Sequence, residues 1–397
     1  MLPCYKSNFG LPDLLKATIS GYSTGVEDVE DAYAEAFGMP YAILLPSARA
    51  GICWTLRACS GKGQQVICPV FTCWEVWQAV RRVHSDICLV DLDKDSFLMD
   101  YNILASFQEG PHAMVLSQIY GYPYDLDALD MRSKHDPGVR IVDMAMGLPD
   151  QNLFKQLGPR DVALISFGAR KCLYSGWGGM AFMRDRALAD EVRRLRGSEQ
   201  VPESFVTAGL KFNRMFMTEL ARLEIVHSAI QSSRRWWNKF QVKIPRNIAH
   251  PVCVEQHQDH PSFEAYYRVP PSGVNRNLML YNLLTIEDQR KHRKSLAEHY
   301  TKNLSGIAGI ILPPISCDAM SHYTIRVPAT RRAEIVDMLS RSGFAVETLF
   351  AFSARLPIAE YPVSAKVADQ VINLPLYLKF TPSEVERICS VLRKVIG

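Results

Sequence analysis

The segment "SFGARKCLYSGWGG", residues 166–179, places one lysine, Lys171, among glycines and apolar residues directly after the strand-like run "DVALISF". A surface loop accommodates such a lysine, and so does an anchor for a covalently held cofactor. The surrounding chain repeats short apolar runs: "YAILL" (41–45), "QVIC" (65–68), "DICLVD" (86–91), "AMVLSQ" (113–118), "VRIVD" (139–143), "VALISF" (162–167) and "GMAFM" (179–183). Runs this apolar on both faces suit the interior of a mostly parallel sheet. Between them, "ARAGICWTLRAC" and "WEVWQAVRRV" carry apolar residues at spacings of three and four. Alternating strands and helices predict an α/β domain with helices on both faces of the sheet.

Composition narrows the function classes. The chain has 397 residues, 48% of them hydrophobic and 22% charged, which suits a globular protein of two or three domains. Lysine and arginine exceed aspartate and glutamate by 45 − 41 = 4, and there is no basic block, so nucleic acid is not an expected partner. The ten cysteines form no CxxC pair, and most sit in apolar runs, as buried thiols do in a reducing compartment. No apolar run of about 18 residues and no leader pattern appears, so a cytoplasmic chain without an integral membrane segment is expected.

After residue 185 the pattern changes. "RALADEVRRLRG" and "GLKFNRMFMTELARLEIVHSAIQSSRRWWNKF" read as helical and basic, and the proline-rich stretch from 244 to 273 reads as an irregular connector. "LMLYNLLTIEDQRKHRKSLAEHYTKNL" reads as one further helix. Strand-like "HYTIRVP", helix-like "RRAEIVDMLSRSG" and "TPSEVERICSVLRKVIG" follow it. The expected division is a large domain over 1–197, a helical and irregular insertion over 198–268, and an interface helix with a small α+β domain over 269–397.

In open parallel sheets, ligands bind beyond the carboxyl ends of the strands. Four segments pass that filter: "PSARAG" (46–51), "PVFTCW" (69–74), "VDMAMG" (142–147) and the Lys171 loop. "PSARAG" leads from strand to helix through small residues, so it offers helix-terminal amides, Ser47 and Arg49 to an anion, although a serine N-cap explains Ser47 equally. Asp143 is a lone charge ending an apolar strand and needs a cation, a donor or a ligand. Together, a phosphate cradle, a carboxylate at one strand end and a lysine after the next strand are what pyridoxal phosphate requires.

The residues resemble the DegT/DnrJ/EryC1/StrS family of pyridoxal-phosphate aminotransferases. "GVEDVEDAYAEAFGMPYAILLPSARAGI" is similar to its N-terminal helix and phosphate turn. "VICPVFTCWEVWQAV" resembles its Pro-x-x-Thr segment, and "SQIYGYPYDLDAL" its Leu-Tyr-Gly-Gln-Pro stretch. "LGPRDVALISFGARKCLYSGWGGMAFM" resembles its Ser-Phe-x-x-x-Lys region, and "LPIAEYPVSAKVADQVINLPLYLKFTPSEVERI" its ending. The resemblance implies a type I PLP-dependent transferase fold, with a seven-stranded, mostly parallel sheet and a smaller C-terminal α+β domain.

It further implies Lys171 as the Schiff-base lysine and proton shuttle, and Asp143 as the partner of the ring nitrogen. Ser47, Ala48, Arg49 and Ser166 fall on phosphate-binding positions, and Asn275, in "SGVNRNL", falls where family members reach the phosphate across a homodimer interface. The implied reaction moves an amino group, from glutamate in the expected case, to a nucleotide-linked keto sugar. An aminocyclitol ketone or a keto-octulosonate is an alternative acceptor, and an eroded cofactor-binding scaffold is an alternative function. Elimination is disfavoured, because the dehydratase branch has histidine at the position of Lys171.

Three departures from the family pattern stand out. Its Gly-Thr in the phosphate turn is Ala48-Arg49 here. Its glutamine after the aspartate is Met146. Its stacking aromatic falls on Cys73, which leaves Trp74 or Phe71 to offer the ring face. The small residues around Lys171 are expected to leave room for the ring.

Overall fold

The computed structural model describes residues 2–20, 24–59, 65–100, 102, 113–132, 138–202, 205–221, 261–314, 317–350 and 359–396. Seven strands, β1 (Tyr41–Leu45), β2 (Gln65–Pro69), β3 (Asp86–Val90), β4 (Ala113–Ser117), β5 (Val139–Asp143), β6 (Val162–Ser166) and β7 (Gly179–Met183), form one sheet in the order β1-β7-β6-β5-β4-β2-β3. β7 runs antiparallel to both neighbours, and the remaining pairings are parallel. These positions match the expected strands to within a residue at their ends.

Alternation explains why every strand reads as apolar. In β1, Ala42 and Leu44 join one buried cluster while Ile43 and Leu45 join another; in β6, Ala163 and Ile165 divide from Val162 and Leu164 in the same way. Both faces are covered, so neither side of a strand can be polar. One face carries α3 (Ala48–Cys59), α4 (Trp74–Arg81) and α7 (Arg186–Glu199). A Cβ on Gly51 of α3 would meet Leu164 at 2.7 Å and Leu45 at 2.9 Å, so this glycine lets the helix lie directly on the sheet.

The other face packs on α2 (Val26–Phe37), α5 (Leu126–Arg132) and α6 (Gln151–Gln156) and is continuous with the core of the C-terminal part. There β8 (His322–Arg326) and β9 (Val371–Pro375) form an antiparallel pair beside helices over Ala329–Arg341 and Pro382–Ile396. α1 (Leu11–Ser20) and α8 (Phe205–Ala221) stand beside α10 (Gly273–Leu284). Among the described residues no helix is long and apolar enough to cross a membrane.

Two expectations change. Residues 261–268, read as part of an irregular connector, form helix α9 (Pro261–Arg268); it is fixed by Arg82, which pairs with Glu264 at 2.7 Å and lies over the Tyr267 ring at 4.3 Å. The single helix expected over 278–304 is two, α10 and α11 (Ile286–Leu304), broken at Thr285 (φ −101°, ψ 1°). The Thr285 hydroxyl bonds back to the carbonyls of Tyr281 and Asn282, each at 3.2 Å, which competes with helix continuation. "RRWWNKF" (234–240) and most of the expected 198–268 insertion lie outside the described residues.

Candidate active site

Asp143 is the last residue of β5 and is buried. Its Oδ1 accepts the Ala145 amide at 3.0 Å. Burial pushes its carboxyl above the usual range, while the nearby Lys171 charge and the Ala145 amide pull it back. A carboxylate in this position gains from any further cation that enters beside it.

Lys171 lies in the loop leaving the neighbouring strand β6. Its amide donates to the Gly168 carbonyl at 3.4 Å, and its own carbonyl accepts the Tyr5 hydroxyl at 2.6 Å. The side chain turns back toward the loop after β5, where Nζ donates to Met146 Sδ at 3.4 Å. Asp143, Met146 and Lys171 thus face the same space. It is a cavity of ≈450 Å³, within the usual range for small-molecule sites.

Ser47, Ala48 and Arg49 border that cavity at the start of α3. Ser47 Oγ accepts the Ala50 amide at 3.2 Å, so it does act as an N-cap, and it donates to the Tyr266 carbonyl at 2.6 Å. The remaining first-turn amides have no partner inside the helix. Arg49 pairs with Glu75 at 3.4 Å and lies 4.2 Å over the Tyr266 ring. Tyr266 stacks on Trp177 at 4.5 Å, and Lys211 covers the far face of the stack, 4.2 Å from the Trp177 ring. One wall is therefore a four-layer pile of cation, ring, ring and cation. Ser166 also borders the cavity, with its Oγ accepting the Gly168 amide at 3.4 Å.

Of the small residues near Lys171, Gly168, Ala169, Gly176 and Gly178 line the cavity, whereas Gly179 serves packing. A Cβ on Gly179 would lie 2.5 Å from Ala48 N and from Ser47 C. Only a glycine lets β7 start so close to the turn before α3, where Ser47 bridges Gly178.

Three further sequence-derived residues, Trp74, Phe71 and Asn275, do not line the cavity of their own chain. At the start of α4, Cys73, Glu75 and Val76 line the cavity and Trp74 does not, so the cavity wall expected to present an indole presents a thiol and a carboxylate. Burial pushes the Cys73 thiol up to about 12, which keeps it protonated and unreactive. Phe71 is fully buried against Tyr120 and Phe350. Asn275 is buried in its own chain, donating to the Ser175 carbonyl at 2.8 Å and capping α10 with Ser272. It is not among the described residues that line the cavity.

The opposite wall was not anticipated. Tyr5 comes from the N-terminal segment, and His322 and Glu347 come from the C-terminal part. His322 is 4% exposed, and burial pushes its imidazole down to about 4, so it is neutral. The donor set fits pyridoxal phosphate: a primary amine, a buried carboxylate across from it, and a helix start with an arginine for a phosphate.

Comparison with known proteins agrees. The DegT/DnrJ/EryC1/StrS aminotransferase family matches residues 14–234 and 274–393. The sugar aminotransferase CalS13 from Micromonospora echinospora superposes with a TM-score of 0.71 at 19% identity, over 99% of this chain and 100% of that one. A DegT DnrJ EryC1 StrS aminotransferase from Brucella abortus gives 0.68 at 18% identity, over 97% and 95%. An E. coli GDP-4-keto-6-deoxy-D-mannose-3-dehydratase with hydrated PLP bound gives 0.72 at 12% identity, over 99% of both chains. At such identities the superpositions establish the fold, and the family match establishes the lineage. The chain belongs to the DegT/DnrJ/EryC1/StrS aminotransferase family, whose enzymes depend on pyridoxal 5′-phosphate.

Proposed function

We propose that the protein moves an amino group from an amino acid, glutamate, to the carbonyl of a nucleotide-linked keto sugar. The observation that carries this reading is the entry of Asp143 and Lys171 into one ≈450 Å³ cavity from adjacent strand ends, with the start of α3 and Arg49 on its border. Bound there, pyridoxal phosphate supplies the electron sink that makes a donor's Cα–H bond acidic. Asp143 holds negative charge toward the ring nitrogen and keeps it protonated. The amides at the start of α3, together with Arg49 and Ser166, bind the phosphate. Lys171 anchors the group covalently, and its freed Nζ takes the proton from the donor's Cα and delivers it onward. The same lysine runs the reverse transfer on the acceptor carbon, so ping-pong kinetics follow.

The chain's own surface supports a homodimer. Leu15 and Ile19 of α1 are 51% and 81% exposed, Met217 of α8 is 54% exposed, and Leu284 at the end of α10 is 85% exposed, on three helices that contact one another. A second copy covering them removes that apolar area from water. All described cysteines are free, which supports a cytoplasmic location.

The test is a panel of nucleotide-linked keto sugars incubated with protein, pyridoxal phosphate and glutamate, with products read by mass. Glutamate-dependent amination that disappears in Lys171→Ala is expected. Amination of an aminocyclitol ketone or a keto-octulosonate alone would replace the acceptor. Amination by Lys171→Ala at the wild-type rate would remove the mechanism.

A further inference from the structure

Arg170 and Glu347 have no part in the scheme above, yet both line the cavity. Arg170 immediately precedes Lys171 and holds a left-handed backbone, φ 66°, a costly conformation for a residue with a Cβ. The guanidinium meets the C-terminal part of the chain, where it pairs with Glu347. The two partners are unequal: the Arg170 side chain is 59% exposed and that of Glu347 is 17% exposed. Glu347 is also fixed in place, because its backbone exchanges hydrogen bonds with Asn373 at 3.2 and 2.8 Å.

An amino-acid donor brings a carboxylate that the reacting end of a keto sugar lacks, so a transaminase needs a cation close to the reacting carbon for one substrate and not for the other. Four cationic side chains border the described cavity. Arg49 is held by Glu75 and Tyr266 at the phosphate turn, Lys211 covers Trp177, and Lys171 is the anchoring amine. The fourth is Arg170, adjacent in sequence to that anchor and held by a single, solvent-reachable ion pair.

The structure assigns Arg170 as the residue that binds a carboxylate of the amino-acid donor, with Glu347 as its placeholder, holding the guanidinium until the donor takes it. This rests on the transaminase reading above. During the acceptor half of the cycle the guanidinium returns to Glu347, so no charge is left unpaired at the cavity.

Glu347 is set among Arg170, Cys4 and His322: one side-chain N, S or O atom from each of Cys4, His322 and Glu347 lies within 4.8 Å of the others. The carboxylate thus stays sheltered by its own surroundings while the more exposed guanidinium can turn to a donor.

The experiment uses the holoenzyme and glutarate, a dicarboxylate with no amine to react, with binding read by calorimetry. Arg170→Ala is expected to weaken binding about tenfold or more, and to raise the KM for glutamate about tenfold more than the KM for the acceptor. Glu347→Gln is expected to tighten glutarate binding, because the guanidinium is then no longer held by a charge. A mere strut between two parts of the fold predicts instead that both variants weaken binding alike, and that result overturns the assignment. So does wild-type glutarate affinity in Arg170→Ala. Failure of the transaminase reading shows separately, in the wild type, as a bound cofactor whose absorbance glutamate does not change.

Discussion

Lys171 Nζ lies 3.4 Å from Met146 Sδ, so the amine we propose as the cofactor anchor rests on a thioether where the family pattern has a glutamine. Sulfur is a weak acceptor, worth less than the ~0.5–1.5 kcal/mol net of an ordinary hydrogen bond. Met146→Leu is therefore expected to keep cofactor attachment and to change kcat by less than about fivefold. A loss of a hundredfold would mean that the sulfur acts on the reaction itself.

Asp143 sets a trade between stability and chemistry. Its folded carboxyl is raised by burial above the ordinary value, so at pH values between the two the native state holds a proton that the unfolded chain has released. This contribution to stability is complete below the ordinary value and is lost as pH rises through the folded one. Without cofactor, Asp143→Asn is expected to melt above wild type at neutral pH, with the gap closing as pH falls toward about 4. Turnover of the same variant is expected to fall about a hundredfold or more. Equal melting temperatures at both pH values would contradict the burial argument.

His322 has the opposite sign. Burial takes its imidazole from 6.5 to about 4, so the unfolded chain binds the extra proton. Stability from this group is full above the ordinary value and drains away as pH falls toward the folded one. His322→Gln is expected to remove up to ~3 kcal/mol of pH dependence across that window, measured by urea titrations at stepped pH. An unchanged slope would show that the imidazole is not sheltered in solution.

Gly179→Ala is expected to cost about 1–3 kcal/mol, because its methyl group displaces either β7 or the turn before α3. Cofactor affinity is expected to fall with it, since that turn carries the amides proposed to bind the phosphate. Gly209 in α8 has nothing within 4 Å of a Cβ, and its alanine variant is expected to stabilise by about 0.5–1 kcal/mol. Equal effects at the two positions would rule out the close-packing explanation.

The parts legible from sequence share one property: their signal is local. The strands were readable because each run is buried on both faces, and Asp143 and Lys171 because a charge after an apolar run is conspicuous. Tyr5 and Glu347 were not, since each meets the Lys171 loop from more than 160 residues away, at separations of 166 and 177. No periodicity encodes such a meeting. Trp74 shows a related limit: helical spacing places an aromatic near the site but not the turn of the helix that decides which side chain enters. The break at Thr285 was hidden because the helical pattern continues across it, and only the hydroxyl's return to the backbone gives it away.

The stack of Arg49, Tyr266, Trp177 and Lys211 also orders events during synthesis. A nascent chain that has completed β7 already owns every strand of the seven-stranded sheet, Asp143 and Lys171, yet it lacks Tyr266, whose carbonyl accepts from Ser47 and whose ring lies under Arg49. At about 5–20 residues per second the ribosome takes roughly 4 to 16 seconds to reach the start of α9. Through that interval the wall beside the phosphate turn lacks its middle ring, and only the arrival of α9 sets Tyr266 between Arg49 and Trp177.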